Sequence, residues 1–316
     1  MKHEIKITCL LLLMFLVTQL IGLVVIDVYS PKTIEQVVNG TLANVTIEKE
    51  IPYGMQPPKA KAEISFASII VSLAIAIFIF VLLMKVKARS LIKIWFTFVI
   101  FLTISIALTA LLTKIFPQSI IRMDIIALIL AIPLTFYKIF KRNVLVHNFT
   151  ELLIYPGLAA IFVPLLHVWS ILILLILISI YDIWAVWKSS LMVNLAKFQI
   201  QKMKIFTGFL IPYLSKKDAI ILERVKKIKI KKNRIRALKK IKMTLAILGG
   251  GDIVFPLIFA GVIYRASGLL PALMISLGAT LALLLLFIFS KKGKFYPAMP
   301  FITAGCLFGY LIGFII

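Results

Sequence analysis

Two aspartates stand inside long apolar runs of this 316-residue chain, and they are the residues most able to do chemistry. The chain has twelve acidic residues in all. Glu4, Glu35, Glu48, Glu50, Glu63, Asp218 and Glu223 fall in loops or tails, and Asp27, Asp124 and Glu151 fall at the ends of apolar runs, where headgroups and water are expected within reach. Asp182 and Asp252 remain. An ionised aspartate at the centre of a transmembrane helix costs about 2.5 to 3.5 kcal/mol on the insertion scale, so a buried pair points to function. Two carboxylates within hydrogen-bond reach share one proton. The ionised partner can then take a proton from an attacking water while the protonated partner donates to a peptide carbonyl oxygen, with no covalent intermediate.

The elements that position this pair follow from composition. Hydrophobic residues make up 62% of the chain and charged residues 15%, and the mean hydropathy is +1.07, far from the soluble average. The apolar residues come in blocks of about twenty, the length that crosses roughly 30 Å of hydrocarbon as a helix. The predicted architecture is an all-α polytopic membrane protein with nine spans. They cover about 5–28, 65–84, 91–115, 123–140, 150–167, 169–188, 244–264, 268–290 and 297–316.

Basic residues fall in alternate loops: Lys85, Lys87, Arg89 and Lys93; Lys138, Lys141 and Arg142; the stretch 189–243; and Lys291, Lys292 and Lys294. The positive-inside rule therefore puts the amino terminus in the cytoplasm and the carboxyl terminus outside, in a multi-pass protein of the cell membrane. The first apolar run, Ile5 to Val28, lacks a small-x-small cleavage site and reads as a retained signal anchor. The expected organisation is an amino-terminal bundle, 1–188, with an external loop at 29–64; a basic cytoplasmic loop, 189–243; and a carboxyl-terminal bundle, 244–316. Charge balance and two N-x-Thr sequons, at Asn39 and Asn44, suit an external loop.

The net charge of +24 does not call for nucleic acid, because sixteen of the thirty-six Lys and Arg lie within 189–243. An anionic lipid surface is the expected partner of that loop. Within it, Leu222, Val225, Ile228, Ile235, Leu238 and Ile241 recur at near-helical spacing, as in an amphipathic helix lying on the membrane or, equally, a solvated basic linker. Cys9 and Cys306 lie in predicted helices and read as packing residues.

Asp182 lies six residues before Lys188, roughly 9 Å from the inner end of the sixth span. Asp252 lies about eight residues into the seventh, roughly 12 Å from the same side. The two spans run antiparallel, so both carboxylates are expected at similar depth. Other intramembrane protease chemistries lack their residues: there is no HExxH, the only histidines are His3, His147 and His167, and Ser267-Gly268 sits at the wrong membrane face for a serine nucleophile. No metal or other cofactor is expected.

The residues around the pair, YDIWAV at Tyr181 and Asp182, GGGDIVFP at Gly249 to Asp252, and PAMP at Pro297 to Pro300, resemble the YD, GxGD and PAL motifs of presenilins, signal peptide peptidases and their archaeal relatives. The likeness extends to span number, motif order and the long loop between spans six and seven. It implies an intramembrane aspartyl endopeptidase that cleaves transmembrane helical protein substrates. Asp182 and Asp252 would be catalytic, and Tyr181, Gly249, Gly250, Gly251, Pro297, Ala298, Met299 and Pro300 would border the substrate. Met299 replaces the usual leucine, a volume-conserving change. Pro271-Ala272-Leu273 spells the literal triplet but is predicted at the opposite membrane face from Asp252. Association into a homo-oligomer is compatible with the sequence. A proton- or cation-coupled transporter using the same aspartates is the alternative, and it leaves the three motifs as coincidence.

Overall fold

The computed structural model describes residues 5–38, 41–47, 51–54, 89–117, 121–141, 143–188, 207–214, 243–290 and 296–316, with scattered helical positions between Ser68 and Leu83. In chain order the elements are α1 (Ile5–Tyr29), β1 (Lys32–Val38), β2 (Thr41–Ile47), α2 (Arg89–Ile115), α3 (Met123–Phe136), α4 (Val144–Phe162), α5 (Val168–Trp187), β3 (Gly208–Leu214), β4 (Met243–Gly249), α6 (Gly250–Ser267), α7 (Leu269–Phe289) and α8 (Met299–Ile315). A π-helical turn, Tyr137–Lys141, extends α3, and a 3-10 turn, Val163–Leu165, extends α4. Among the described residues, seven helices are long and apolar enough to cross a membrane, and α8 is a shorter apolar helix. The chain is thus a mostly helical polytopic membrane protein. The second predicted span, apart from those scattered positions, and the amphipathic segment 222–241 lie outside the described residues.

Helix boundaries follow local chemistry. The Asn143 side chain accepts a hydrogen bond from the Leu145 amide at 2.9 Å and caps α4. Gly268, at φ 91°, ends α6 and starts α7 in a left-handed conformation that an L side chain rarely adopts. Two expectations are corrected. The segment after α1 is not all loop: β1 and β2 pair antiparallel, with Val38 opposite Thr41 and Lys32 opposite Ile47. The seventh predicted span does not begin at 244. Met243–Gly249 is a strand paired with Gly208–Leu214, and the helix starts at Gly250. Three consecutive glycines each cost a helix interior about 1 kcal/mol, so helix begins there and does not run through.

α6 lies at the centre, in contact with α1, α4, α5, α7 and α8. Ile253 and the unbroken run from Pro256 to Ile263 are buried, so the middle two turns of the helix are enclosed on every side. The Gln19 side-chain amide of α1 donates to the Ile253 carbonyl at 3.0 Å. At the far end of the bundle, Asp27 of α1 accepts hydrogen bonds from Lys114 of α2 at 2.6 Å and from Tyr264 of α6 at 2.7 Å. In lipid the drive to associate comes from close packing and polar bonds between helices, so small residues mark the tightest contacts. α7 and α8 meet at glycines: a Cβ on Gly305 would fall on the Gly278 carbonyl, and one on Gly309 on the Met274 carbonyl.

The β3–β4 hairpin is seated on α4. Phe209, Ile211, Ala246 and Leu248 are buried, whereas Leu245 and Ile247 are exposed, as the two-residue alternation of strands requires. Asn148 holds the hairpin by its backbone. Its Nδ2 donates to the Leu210 carbonyl at 2.8 Å, and its Oδ1 accepts from the Leu210 amide at 3.0 Å. His147 Nε2 donates to the Gly208 carbonyl at 2.8 Å.

Gly305→Val is expected to destabilise the chain by about 1 to 3 kcal/mol through overpacking, read as a lower unfolding midpoint in mixed micelles. An unchanged midpoint would mean that α7 and α8 do not approach so closely. Asn148→Leu keeps the side chain's bulk but removes both bonds to Leu210. At about 1 kcal/mol per bond, amide exchange across 207–214 should speed up by roughly ten- to a hundredfold, and protection equal to wild type would reject the clamp.

Candidate active site

Asp182 lies in the last turns of α5 and is buried, with 5% of its surface exposed. Its Oδ2 accepts a hydrogen bond from the Met299 amide at 3.0 Å. That amide belongs to the first turn of α8, where backbone donors have no partner within the helix and carry partial positive charge. One turn back on α5, Ser179 donates its hydroxyl proton to the Leu175 carbonyl at 2.7 Å, so the 2.9 Å contact with Thr303 of α8 must be donated by Thr303. α5 and α8 are therefore joined twice, at 182/299 and at 179/303.

Asp252 occupies the third position of α6, not its interior as the predicted span implied. Gly249 is the N-cap residue, with extended backbone at φ −65° and ψ 145°. The Asp252 carboxylate turns back toward the Gly249 amide, and a Cβ on Gly249 would stand 3.1 Å from Asp252 Oδ2. This is half of a capping box, with the third helical residue serving the cap amide. Pro256 has no amide hydrogen, so the Asp252 carbonyl lacks its helical donor. α5 and α6 are in contact, and Asp182 acts electrostatically on Asp252. Two carboxylates from neighbouring helices thus lie within electrostatic range of each other, each beside a helix amino terminus.

The other motif residues divide. Met299 and Pro297 are buried, with Ala298 and Pro300 half-buried beside them. Gly250 and Gly251 make the first turn of α6. Tyr181 is on another face of α5 from Asp182: it is 50% exposed and its ring lies 6.2 Å from that of Trp184. Pro271 of the decoy triplet packs against Gly313, fourteen residues along α8 from Met299 and so about 21 Å away.

The sequence leads one to expect Glu151 at a helix end within reach of water. It is in fact fully buried, with its Oε1 2.5 Å from Lys138 Nζ, which is itself buried. The ion pair replaces the water that was expected. Tyr155, one turn further along α4, is also buried, and a Cβ on Gly250 would come 2.9 Å from its hydroxyl. His147, Glu151 and Tyr155 recur at intervals of four on α4, a polar stripe that the helical period could have revealed. The hairpin contacts of Asn148 had no such signal.

The chain resembles known proteins in sequence family and in fold. The family described as signal-peptide peptidase, presenilin aspartyl protease matches residues 32–316. Curated proteins give no match. Among solved structures, a presenilin family intramembrane aspartate protease in space group C222 superposes with a TM-score of 0.62 at 18% identity, covering 98% of each chain. The structure of such a protease in space group P2 gives a TM-score of 0.60 at 19% identity and 96% coverage of each chain. These structural likenesses bear on the fold, while the match over 32–316 bears on descent. By that match the chain belongs to the signal-peptide peptidase and presenilin aspartyl protease family, and it is a hydrolase of the membrane.

Proposed function

We propose that Asp182 and Asp252 form the catalytic dyad of an intramembrane aspartyl endopeptidase that hydrolyses peptide bonds within transmembrane segments. The observation that carries this reading is the hydrogen bond from the Met299 amide to Asp182, because it ties the PAMP segment to one aspartate while the other stands in its electrostatic range. A water held between the carboxylates loses a proton to the ionised one as its oxygen attacks the peptide carbon. The protonated one gives its proton to the carbonyl oxygen. The tetrahedral diol then collapses as the carbon–nitrogen bond breaks and the amine leaves protonated.

The β4 edge supports an extended substrate. Leu210 pairs with Ile247, and both backbone groups of Leu210 turn away from β4 to Asn148. In an antiparallel ladder the opposite residue then turns its own groups outward. The Ile247 amide and carbonyl therefore face the edge of β4 that is unpaired among the described residues, two residues before Gly249. A peptide adding there as a strand would exchange its helical hydrogen bonds for new ones. Gly249, Gly250 and Gly251 would allow its backbone close to Asp252, and Pro297, Ala298, Met299 and Pro300 would wall the other side. Tyr181, exposed beside Trp184, would meet the substrate on its lateral approach.

In this reading the chain has nine spans, an amino terminus in the cytoplasm and an external carboxyl terminus, and it resides in the cell membrane. The bundles 1–188 and 244–316 flank the basic segment 189–243, which binds anionic lipid of the inner leaflet. Copies of the chain are free to associate as homo-oligomers, and the substrates are single-span helices that unwind readily.

Purified chain in liposomes is expected to cut a single-span helix, and Asp182→Asn and Asp252→Asn are each expected to lower the rate at least about a thousandfold without loss of fold. Cleavage surviving in either folded variant would reject the dyad. Proton or cation flux that depends on both aspartates, with no peptide product, would make the chain a transporter instead.

A further inference from the structure

Two buried polar atoms on α4, Glu151 Oε2 and the Tyr155 hydroxyl, make no well-formed hydrogen bond among the described residues, although the two side chains lie close enough to interact as acceptor and donor. Glu151 is 0% exposed and Tyr155 2%. Unpartnered groups of this kind call for an explanation, more so within a membrane. Their surroundings limit it. Glu151 Oε1 is taken by Lys138 Nζ at 2.5 Å, which keeps Glu151 an acceptor and leaves Oε2 over. His147 donates from Nε2 to Gly208, so its Nδ1 lone pair faces Lys138 Nζ at 3.4 Å. The Tyr155 ring packs edge-on against Phe209 of β3, with centroids 6.0 Å apart. Its hydroxyl is thereby aimed over Gly250, where any side chain would collide with it. The carboxylates of Glu151 and Asp252 both act on that hydroxyl electrostatically.

We propose that Tyr155 is a positioning residue for Asp252, its single hydroxyl proton turning between the carboxylates of Asp252 and Glu151 as Asp252 changes protonation state. A phenol has one proton to donate and lone pairs to accept. When Asp252 is ionised, the hydroxyl donates to it and fixes the carboxylate that receives the water's proton. When Asp252 is protonated, its own proton can be donated to the phenol oxygen while the hydroxyl turns to Glu151 Oε2. Tyr155 keeps its proton throughout, and only the hydrogen bonds change. Lys138 holds Glu151 in place for the second state. Gly250 acquires a reason beyond helix initiation, because the missing side chain leaves room for the hydroxyl.

The proposal rests on the dyad reading, and the test separates the two. In the full chain, Tyr155→Phe keeps the ring against Phe209, so the unfolding midpoint should stay at the wild-type value. Loss of a hydrogen bond to a charged group should lower kcat by about ten- to a hundredfold with KM unchanged. A peptide inhibitor bearing a hydroxyl in place of the scissile carbonyl should weaken by the same factor. Gly250→Ala combined with Tyr155→Phe should lose no more activity than the worse single variant. Unchanged kcat and inhibitor affinity in Tyr155→Phe would overturn the proposal, as would a change confined to KM. If wild-type chain cuts nothing, the dyad reading fails, and the Asp252 carboxyl infrared band, assigned by its loss in Asp252→Asn, decides the rest. A shifted band in Tyr155→Phe supports the contact, and an unshifted one rejects it.

Discussion

A carboxylate inside a membrane protein must find its hydrogen-bond donors in the protein, and here helix amino termini supply them. Asp182 takes the Met299 amide at the start of α8, and Asp252 turns to Gly249 at the start of α6. A helix offers free amides only in its first turn, so both helices must begin at the level of the site and not at the membrane surface. That requirement explains the residues that precede them. Three glycines interrupt what would otherwise be one long helix from 244, and prolines at 297 and 300 flank the start of α8. Irregular or extended backbone at this depth is tolerated because it is buried in protein or paired. The β3–β4 hairpin meets that condition through its own ladder and through Asn148.

Much of this was legible in the sequence because the relevant signals are local or nearly so. Apolar run length placed α1, α5, α7 and α8 to within about two residues, and the short break at His167 did separate α4 from α5. Elimination isolated the two aspartates, since among twelve acidic residues only they fell well inside the predicted apolar runs. Topology also chose the imperfect PAMP over the literal triplet, and the Met299 bond to Asp182 lies at that motif. The distance along α8 to Pro271 is the physical content of that choice.

What was missed depends on partners distant in the chain. The strand at 243–249 reads as the start of an apolar helix until β3, some thirty residues earlier, is known to lie beside it. Glu151 resembled an interfacial acid because apolar density falls off near it, yet it is paired with Lys138, thirteen positions away across a helix boundary. Buried ion pairs of this type recover little or no net energy after desolvation. Their value lies in orientation, and this one lies beside the Tyr155 hydroxyl.

The rigid and open parts of the molecule are divided accordingly. The middle of α6 is enclosed on all sides, α7 and α8 are locked at backbone contact distance, and the site's donors are backbone groups that cannot rotate away. Among the described residues β4 pairs only with β3, and its Leu245 and Ile247 are exposed. A helical peptide in lipid gives up its internal hydrogen bonds only where others replace them, because each unmet backbone group costs several kcal/mol there. In the proposed reading, a fixed dyad beside an open strand edge would divide the work of an intramembrane protease into two steps. The edge would select segments whose helices unwind easily, and the aspartates would cut the backbone held at their depth. Selectivity in such a design would follow helix stability in the substrate more closely than any side-chain pocket, as expected if glycine, alanine, proline and methionine wall the proposed site.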